Sequence, residues 1–539
     1  MVLLMTAVTD ESSAASAATF YGTLANCAGD TSNAAAIIDG DCSLTYGQLH
    51  ARADEQAAWL HSLGIRRGDR VVLWLPNGVT WMATFFACAR LGAVSVMANT
   101  RLRMMDIAHI AADSAAVVLL YSEGFLGIEF QRMVDQLRSR HALMDFPASC
   151  RAVPVQELPD PSAIVPVTLG PPADEPSAAA TVCYTSGTTG APKGCVHDHG
   201  TLIRNGECAA DLSGLCAEDR IVCPVPFSHV FGFHMGVLQC TLAGATLINA
   251  EPYSAGKILD LAERHRATVL YLVPAMAAEV LAEQQATPRD ISALRLAVIA
   301  GAPVGEDLRH AVESPRGLDC LVTVVYGCTE APTIAQLCED DPREARSRSV
   351  GRATPGVEVR IALPQTTESL PADQTGDILV RGYNHMRGYL GDAQGTARKY
   401  RSGWLVTGDA GSLDKDGYLH IEGRASDMMI VGGFNVYPRE VEAQVERCPG
   451  VREAAVTAAP DSRLGEVPVA FVVVDRTGPE AAEIMSWVQE HMASYKRPRN
   501  VWVVDSLPRT VSGKLERSML EADALIALGL PIEEASLNG

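Results

Sequence analysis

Short apolar, β-branched runs alternate with helix-patterned stretches along the chain, and this alternation restricts the fold more than any other feature. The runs are Val71–Leu75, Val117–Tyr121, Thr268–Val273, Leu296–Ala300 and Leu321–Tyr326, with helical stretches such as Ile258–His265 between them. Strands apolar on both faces and separated by helices predict α/β layers built on largely parallel sheets. At 539 residues, with 47% hydrophobic residues, the chain can form about three or four folding units. The most apolar long stretch, Trp81–Ala98, has Arg90 in its middle and predicts a helix followed by a strand rather than a membrane span. No internal repeat is apparent.

Val155–Thr181 holds six prolines and predicts a surface connection. Glu339–Ser349 is dense in both charge signs and predicts a solvated crossing. After Gly423 the pattern restarts as helix Glu440–Glu446, strands Ala454–Thr457 and Val467–Val474, helix Glu480–His491 and strand Asn500–Val504, a small α+β domain.

Lys and Arg total 44 against 64 Asp and Glu, a net charge of −20, with no basic run, which disfavours nucleic-acid binding. The 14 cysteines form no C-x-x-C pair and no zinc-spaced cluster, so they read as buried small side chains in a reducing, cytoplasmic setting. Met1–Thr19 lacks a basic start and carries Asp10 and Glu11, a poor secretory signal. No membrane insertion is expected, and a homodimer is left open.

The first chemical signal is Tyr184-Thr185-Ser186-Gly187-Thr188-Thr189-Gly190-Ala191-Pro192-Lys193-Gly194, directly after an apolar run. Glycine-bared amides, hydroxyl donors and one lysine make an anion cradle, and the spacing is not that of the Walker loop. A flexible turn is the bland alternative. The string resembles the phosphate-binding signature of the adenylate-forming enzymes: acyl-CoA synthetases, adenylation domains of peptide synthetases and firefly-type luciferases. The resemblance runs from Gly68-Asp69-Arg70-Val71 and Leu91-Gly92-Ala93-Val94 through to Gly513-Lys514, and weakens only near the two ends.

This resemblance implies a large multi-layer N-terminal adenylation domain, residues 1–424, and a small mobile α+β C-terminal domain, residues 425–539. It also implies ATP, Mg2+ and coenzyme A. Ser186, Gly187, Thr188, Thr189, Gly190 and Lys193 would cradle phosphates, with Thr185 beside them as a catalytic residue. Tyr326-Gly327-Cys328-Thr329-Glu330 matches the Y-G-x-T-E element, in which the glutamate binds Mg2+ and the threonine meets the α-phosphate. Gly301-Ala302-Pro303 resembles the adenine-side turn, and Tyr326 could stack on the purine. Thr407-Gly408-Asp409 resembles the ribose element, with Arg424 as the second ribose contact. Each of these turns alone is common punctuation.

Pro508-Arg509-Thr510-Val511-Ser512-Gly513-Lys514 matches the last family motif, whose lysine approaches the acid carboxylate and phosphate during adenylation. Gly423-Arg424-Ala425-Ser426 resembles the hinge about which the small domain turns between two catalytic states. Ser426 stands where Asp or Lys is usual. Gly432, Gly433 and Phe434 match the element lining the pantetheine channel.

Pro226-Phe227-Ser228-His229-Val230-Phe231-Gly232-Phe233 corresponds to the acyl-pocket wall and contains no carboxylate. An ammonium buried there would be unpaired, so an amine-free acid is favoured. His229 occupies the position of the gate between the acyl site and the thiol channel, or is a plain packed histidine. Phe231, Phe233, Met235 and Val237, with the small Gly301, Ala302 and Gly327, suggest room for an aromatic, alicyclic or medium-length acyl group. The implied activity is that of an AMP-forming acid–CoA ligase acting on a small-molecule carboxylic acid. A ligase loading an acyl-carrier protein, a non-catalytic acyl-adenylate binder and a luciferase-type oxidase are the alternatives.

Overall fold

The computed structural model describes residues 19–139, 146–155, 169–185, 192–431, 434–461, 463–509 and 515–530. These divide into two compact units. One holds the described residues up to 358 together with 381–400, and the other holds 359–380 and those from 401 onward. Strands Trp404–Leu413 and Leu419–Arg424 pair with each other inside the second unit.

Among the described residues of the first unit, a nine-stranded sheet is parallel through its interior, where Thr246–Asn249, Arg220–Cys223, Val269–Leu272, Leu296–Ala300 and Leu321–Cys328 lie side by side. Antiparallel strands close both edges. A seven-stranded sheet has Val94–Met97, Arg70–Trp74, Val118–Tyr121 and Arg151–Pro154 in parallel, continues into the antiparallel hairpin Ala179–Tyr184/Gly194–Asp198 and ends on the short antiparallel strand Gly388–Tyr389. The strand runs read from the sequence recur here with ends shifted by a residue or two.

The apolar stretch that begins at Trp81 is the helix Val79–Leu91 followed by strand Val94–Met97. Ten of its residues are buried, and its side chains share one core with Val71 and Leu73 of one sheet and Ile221 and Leu247 of the other. A helix apolar all round must be enclosed on all sides, and this one is the layer between two sheets. Burying Trp81, Phe85 and Phe86 is worth about 1.5–3 kcal/mol each. No helix among the described residues is long and apolar enough to cross a membrane.

Glu339–Ser349 is largely exposed, as its charge predicts, with Glu339, Asp340, Arg343, Glu344 and Arg348 at the surface. It contains the helix Arg343–Arg348, and buried Arg309 donates to the carbonyls of Arg346 and Ser349 at 2.7 and 2.6 Å. Burial lowers the Arg309 pKa to about 10. Arg346 also pairs with Glu313.

In the second unit, strands Val357–Ala362, Gly376–Gly382, Trp404–Leu413 and Leu419–Arg424 form one sheet, with Tyr400–Arg401 at its edge. Strands Phe434–Val436, Met429–Val431, Gly465–Val474, Val451–Asp461 and Val501–Val503 form another, covered by helices Pro438–Val445, Ala481–His491 and Arg517–Ala527. Val431, Val441, Val456, Val469, Ile484 and Leu520 belong to one core there.

Candidate active site

The hairpin Ala179–Tyr184/Gly194–Asp198 carries the phosphate-type string on its connection. Thr185 and Lys193 close its neck: the Thr185 amide donates to the Lys193 carbonyl at 3.0 Å, and the Lys193 amide to Thr185 Oγ1 at 3.4 Å. Ser186, Gly187, Thr188, Thr189 and Gly190 lie outside the described residues. Lys193 Nζ is 3.0 Å from Asp392 Oδ2 and 5.1 Å from the centre of the Tyr389 ring. The Gly395 amide and the Lys193 ammonium both bond to Asp392 and hold its carboxyl below the usual range.

Glu330 follows strand Leu321–Cys328 in a turn and is 7% exposed. Lys399 Nζ lies 3.0 Å from its Oε1, and the Tyr389 hydroxyl donates to the same oxygen at 2.6 Å. Burial pushes the carboxyl pKa up, but the Lys399 charge and the Tyr389 bond outweigh it, so the group stays ionised and below its ordinary value. Burial and the adjacent Glu330 carboxylate push Tyr389 the other way. Just before Glu330, the Thr329 carbonyl accepts from Nε2 of His197 at 2.7 Å, and burial lowers the His197 pKa, keeping that ring neutral.

Gly327, expected beside the acid and the nucleotide, has a backbone reason for being glycine. A Cβ there would stand 1.9 Å from the Pro332 carbonyl oxygen, where the hairpin Leu321–Cys328/Ala331–Gln336 doubles back with an irregular register. Gly301, Ala302 and Pro303 leave the carboxyl end of Leu296–Ala300, and the pairing of Ala300 with Val325 sets Gly301 beside half-buried Tyr326. The carboxyl edge of parallel strands is where ligands of open α/β sheets bind.

The expected acyl wall is a π-helical stretch, Phe231–Leu238, buried throughout. With i→i+5 bonding, residues two apart point to opposed sides, so the four alternating apolar positions fall on two faces of the stretch. Phe231 approaches Tyr271 with ring centroids 6.0 Å apart, whereas Phe233 is fully buried against Phe85 at 6.2 Å. By the same period Met235 falls on the side of Phe231, and Val237 on that of Phe233. Half-buried His229 accepts from the Phe231 amide through Nδ1 at 3.2 Å, which places its proton on Nε2.

In the second unit, Asp409 and Arg424 are register partners, with Arg424 Nε 3.2 Å from Asp409 Oδ1. Thr407 Oγ1 accepts from the Asp409 amide and donates to the Ile378 carbonyl, both at 3.0 Å, fixing the turn. Ser426 is exposed in the short 3-10 turn Ala425–Asp427, and its hydroxyl donates to Asp427 Oδ1 at 2.9 Å. Arg517 holds the other Asp427 oxygen at 3.2 Å and Glu442 at 2.7 Å. Phe434 begins the strand Phe434–Val436, while Gly432, Gly433 and Lys514 lie outside the described residues.

Sequence reasoning missed Tyr389, Asp392, Lys399, His197 and Asn77. Asn77 accepts from the Phe227 amide at 2.7 Å and donates to the Val225 carbonyl at 2.9 Å, holding the segment that leads to His229. None of the five stands in a string whose spacing marks it, and their partners lie far along the chain.

In the first unit an ionised carboxylate is held by a lysine and a tyrosine near a Thr/Lys-necked hairpin, and in the second an Asp–Arg pair sits on a glycine turn. Comparison with known proteins resolves the class. Residues 24–390 match the model of the AMP-binding enzyme family, and residues 440–514 match that of the AMP-binding enzyme C-terminal domain. The 3-[(3aS,4S,7aS)-7a-methyl-1,5-dioxo-octahydro-1H-inden-4-yl]propanoyl:CoA ligase of Rhodococcus jostii is 36% identical over 507 residues, 90% of this chain and 95% of the relative. The feruloyl-CoA synthase of Amycolatopsis is 35% identical over 489 residues, 90% of this chain and 94% of the relative. The crystal structure of the anthranilate CoA ligase AuaEII in complex with anthranoyl-AMP superposes with a TM-score of 0.86 at 27% identity, covering 95% of this chain and 98% of that one. The chain belongs to the AMP-binding enzyme family and is an AMP-forming acid–thiol ligase.

Proposed function

We propose that the chain joins an apolar carboxylic acid without an ammonium group, aromatic, alicyclic or of medium length, to coenzyme A. The observation that carries this reading is the wall around Phe231–Leu238, eight buried residues with no carboxylate among them or in Pro226–Val230. A charged amine buried there would lack a counter-ion, a cost of several kcal/mol. Of the wall residues, Phe231 and Met235, with Tyr271 opposite, are the ones we assign to the acid. The acids named in the relatives, an indenyl-propanoate and ferulate, are of the same kind.

In the first step a carboxylate oxygen attacks the α-phosphorus of ATP, and pyrophosphate leaves as acyl-AMP forms. In the second the CoA thiol attacks the acyl carbonyl, AMP departs and the thiol proton passes to solvent. Thr185, Lys193 and the string Ser186–Gly190 hold phosphate oxygens, with Thr329 at the α-phosphate. Gly301, Ala302, Pro303 and Tyr326 receive the adenine, and Asp409 and Arg424 the ribose. Lys514 draws the carboxylate and the α-phosphate together, offsetting charge in the transition state. His229 gates the thiol path, which Gly432, Gly433 and Phe434 line.

The ionised, almost buried Glu330 fits Mg2+, a hard cation served by one or two carboxylates with the rest of its shell supplied by phosphates and water. Among the described residues no cluster of three or more His, Cys, Asp or Glu could hold a metal by itself, which agrees with an ion that travels with ATP. Bound Mg2+ neutralises phosphate charge at that carboxylate.

We place the functional boundary after residue 424. Ser426 is then the hinge that lets residues 425–539 offer Lys514 in the first step and the Gly432–Gly433 element in the second.

The test is a mass-spectrometric screen of the full chain with Mg·ATP, CoA and a pool of aromatic, alicyclic and fatty acids. A new CoA thioester of one of these acids is the expected result. Acyl-AMP without thioester would move the acceptor to a carrier protein, and thioesters of α-amino acids alone would overturn the acid assignment. Lys514→Ala is expected to abolish acyl-AMP formation while leaving thioester formation from supplied acyl-AMP largely intact. Equal loss of both steps would refute the two-state role.

A further inference from the structure

Two bonds outside every sequence string converge on a single oxygen of Glu330. Lys399 Nζ at 3.0 Å and the Tyr389 hydroxyl at 2.6 Å both meet Oε1. Lys399 ends the helix Ala393–Lys399, where a cation is favoured by the exposed carbonyls of the last turn. The ammonium is held close, its side chain only 19% exposed and that of Glu330 9%. At the other end of the same short helix Asp392 binds Lys193 from the phosphate hairpin. One helix therefore fixes two lysines relative to each other, one beside the phosphate string and one on the Glu330 carboxylate.

We propose that Lys399 is a resident cation of the metal–phosphate site, a positioning residue that holds Glu330 through Oε1 and opposes a divalent ion on the same carboxylate. The inference rests on the reading of Glu330 as the magnesium ligand. Its consequences have opposite signs. Without metal, Lys399 supplies positive charge where ATP phosphates arrive. With metal, its charge repels the incoming ion, so the site asks for more Mg2+ than Glu330 alone would require.

The experiment is equilibrium binding of a fluorescent, non-hydrolysable ATP analogue to the full chain, first in EDTA and then across a Mg2+ titration. It needs no turnover. Lys399→Gln keeps a hydrogen-bond donor near Oε1 and loses the charge. It is expected to weaken metal-free binding of the analogue roughly tenfold and to lower the Mg2+ concentration at half-effect by roughly fivefold or more. Lys399→Arg is expected to keep both values within about twofold, since the charge remains. A merely structural lysine would shift both binding values in one direction together with the melting temperature.

An unchanged or raised Mg2+ requirement in folded Lys399→Gln overturns the proposal. If that variant does not fold, a many-fold change in Mg2+ requirement in Lys399→Arg, whose charge is intact, does the same. Glu330→Gln separates the two readings. If it leaves the Mg2+ requirement unaltered, the metal-ligand assignment of Glu330 fails, whereas a change there with none in Lys399→Gln refutes the role of Lys399 alone.

Discussion

Asn77 carries more at the residue scale than its place in the sequence suggests. It is 9% exposed, and its amide group satisfies both the Phe227 amide and the Val225 carbonyl, while its own backbone carbonyl accepts from Asn249 at 3.2 Å. Asn77→Ala leaves buried partners unpaired, so a loss of about 1–3 kcal/mol in denaturant unfolding is expected. Because those partners lead into His229 and Phe231, KM for the acid is expected to rise more than KM for ATP. An equal rise in both would separate Asn77 from the acid side. Asp409→Ala should do the reverse, raising KM for ATP by about tenfold with the acid KM nearly unchanged, as steady-state kinetics with each substrate varied would report. Asp409 was legible in the sequence because its glycine turn is local. Asn77 was not, because both of its side-chain partners lie almost 150 positions away.

At the scale of the element, the π-helical stretch depends on close packing at its start. A Cβ on Gly232 would stand 2.0 Å from the Pro226 carbonyl oxygen, so Gly232→Ala must push the stretch away from the Pro226–Phe227 segment. A destabilisation of about 1–3 kcal/mol is expected, seen as a lower melting temperature together with impaired use of the acid. A variant as stable and as active as the parent would show that the stretch tolerates displacement. The elements themselves were largely readable: helix Ala255–His265 and strand Leu296–Ala300 announce themselves by period and composition. The exposure of Glu339–Ser349 was legible from its charge density, but the helix Arg343–Arg348 and the bonds that buried Arg309 makes to carbonyls of this segment were not, because Arg309 lies 37 and 40 positions away from them.

Across the whole molecule, histidines enclosed in the core set the acid limit of stability. His199 and His234 are 2% and 0% exposed, and burial lowers each pKa to about 4. In the unfolded chain they titrate near about 6.5, so between these values the unfolded state binds more protons and stability rises with pH. The contribution is full above about 6.5 and is lost as pH falls toward 4, on the order of 3 kcal/mol for each histidine. Glu330, held below its ordinary value, adds a further loss only at lower pH. Chemical denaturation at a series of pH values should show weakening that begins near pH 6.5, before carboxylates protonate. A flat profile down to about pH 5 would contradict the burial of these rings as neutral groups.

The sequence by itself determined what depends on near neighbours: the parallel-sheet alternation, the small C-terminal α+β pattern and the strings that place this chain among AMP-binding enzymes. Those features are local because a strand's two apolar faces, a glycine turn and a hydroxyl-rich loop each act within a few residues of backbone. Only the tertiary structure decided which cation meets Glu330, which side of Phe231–Leu238 each aromatic takes, and that Gly327 yields to a carbonyl. Such choices are made where segments distant in sequence are brought within hydrogen-bond and van der Waals range, and no periodicity in the chain records them.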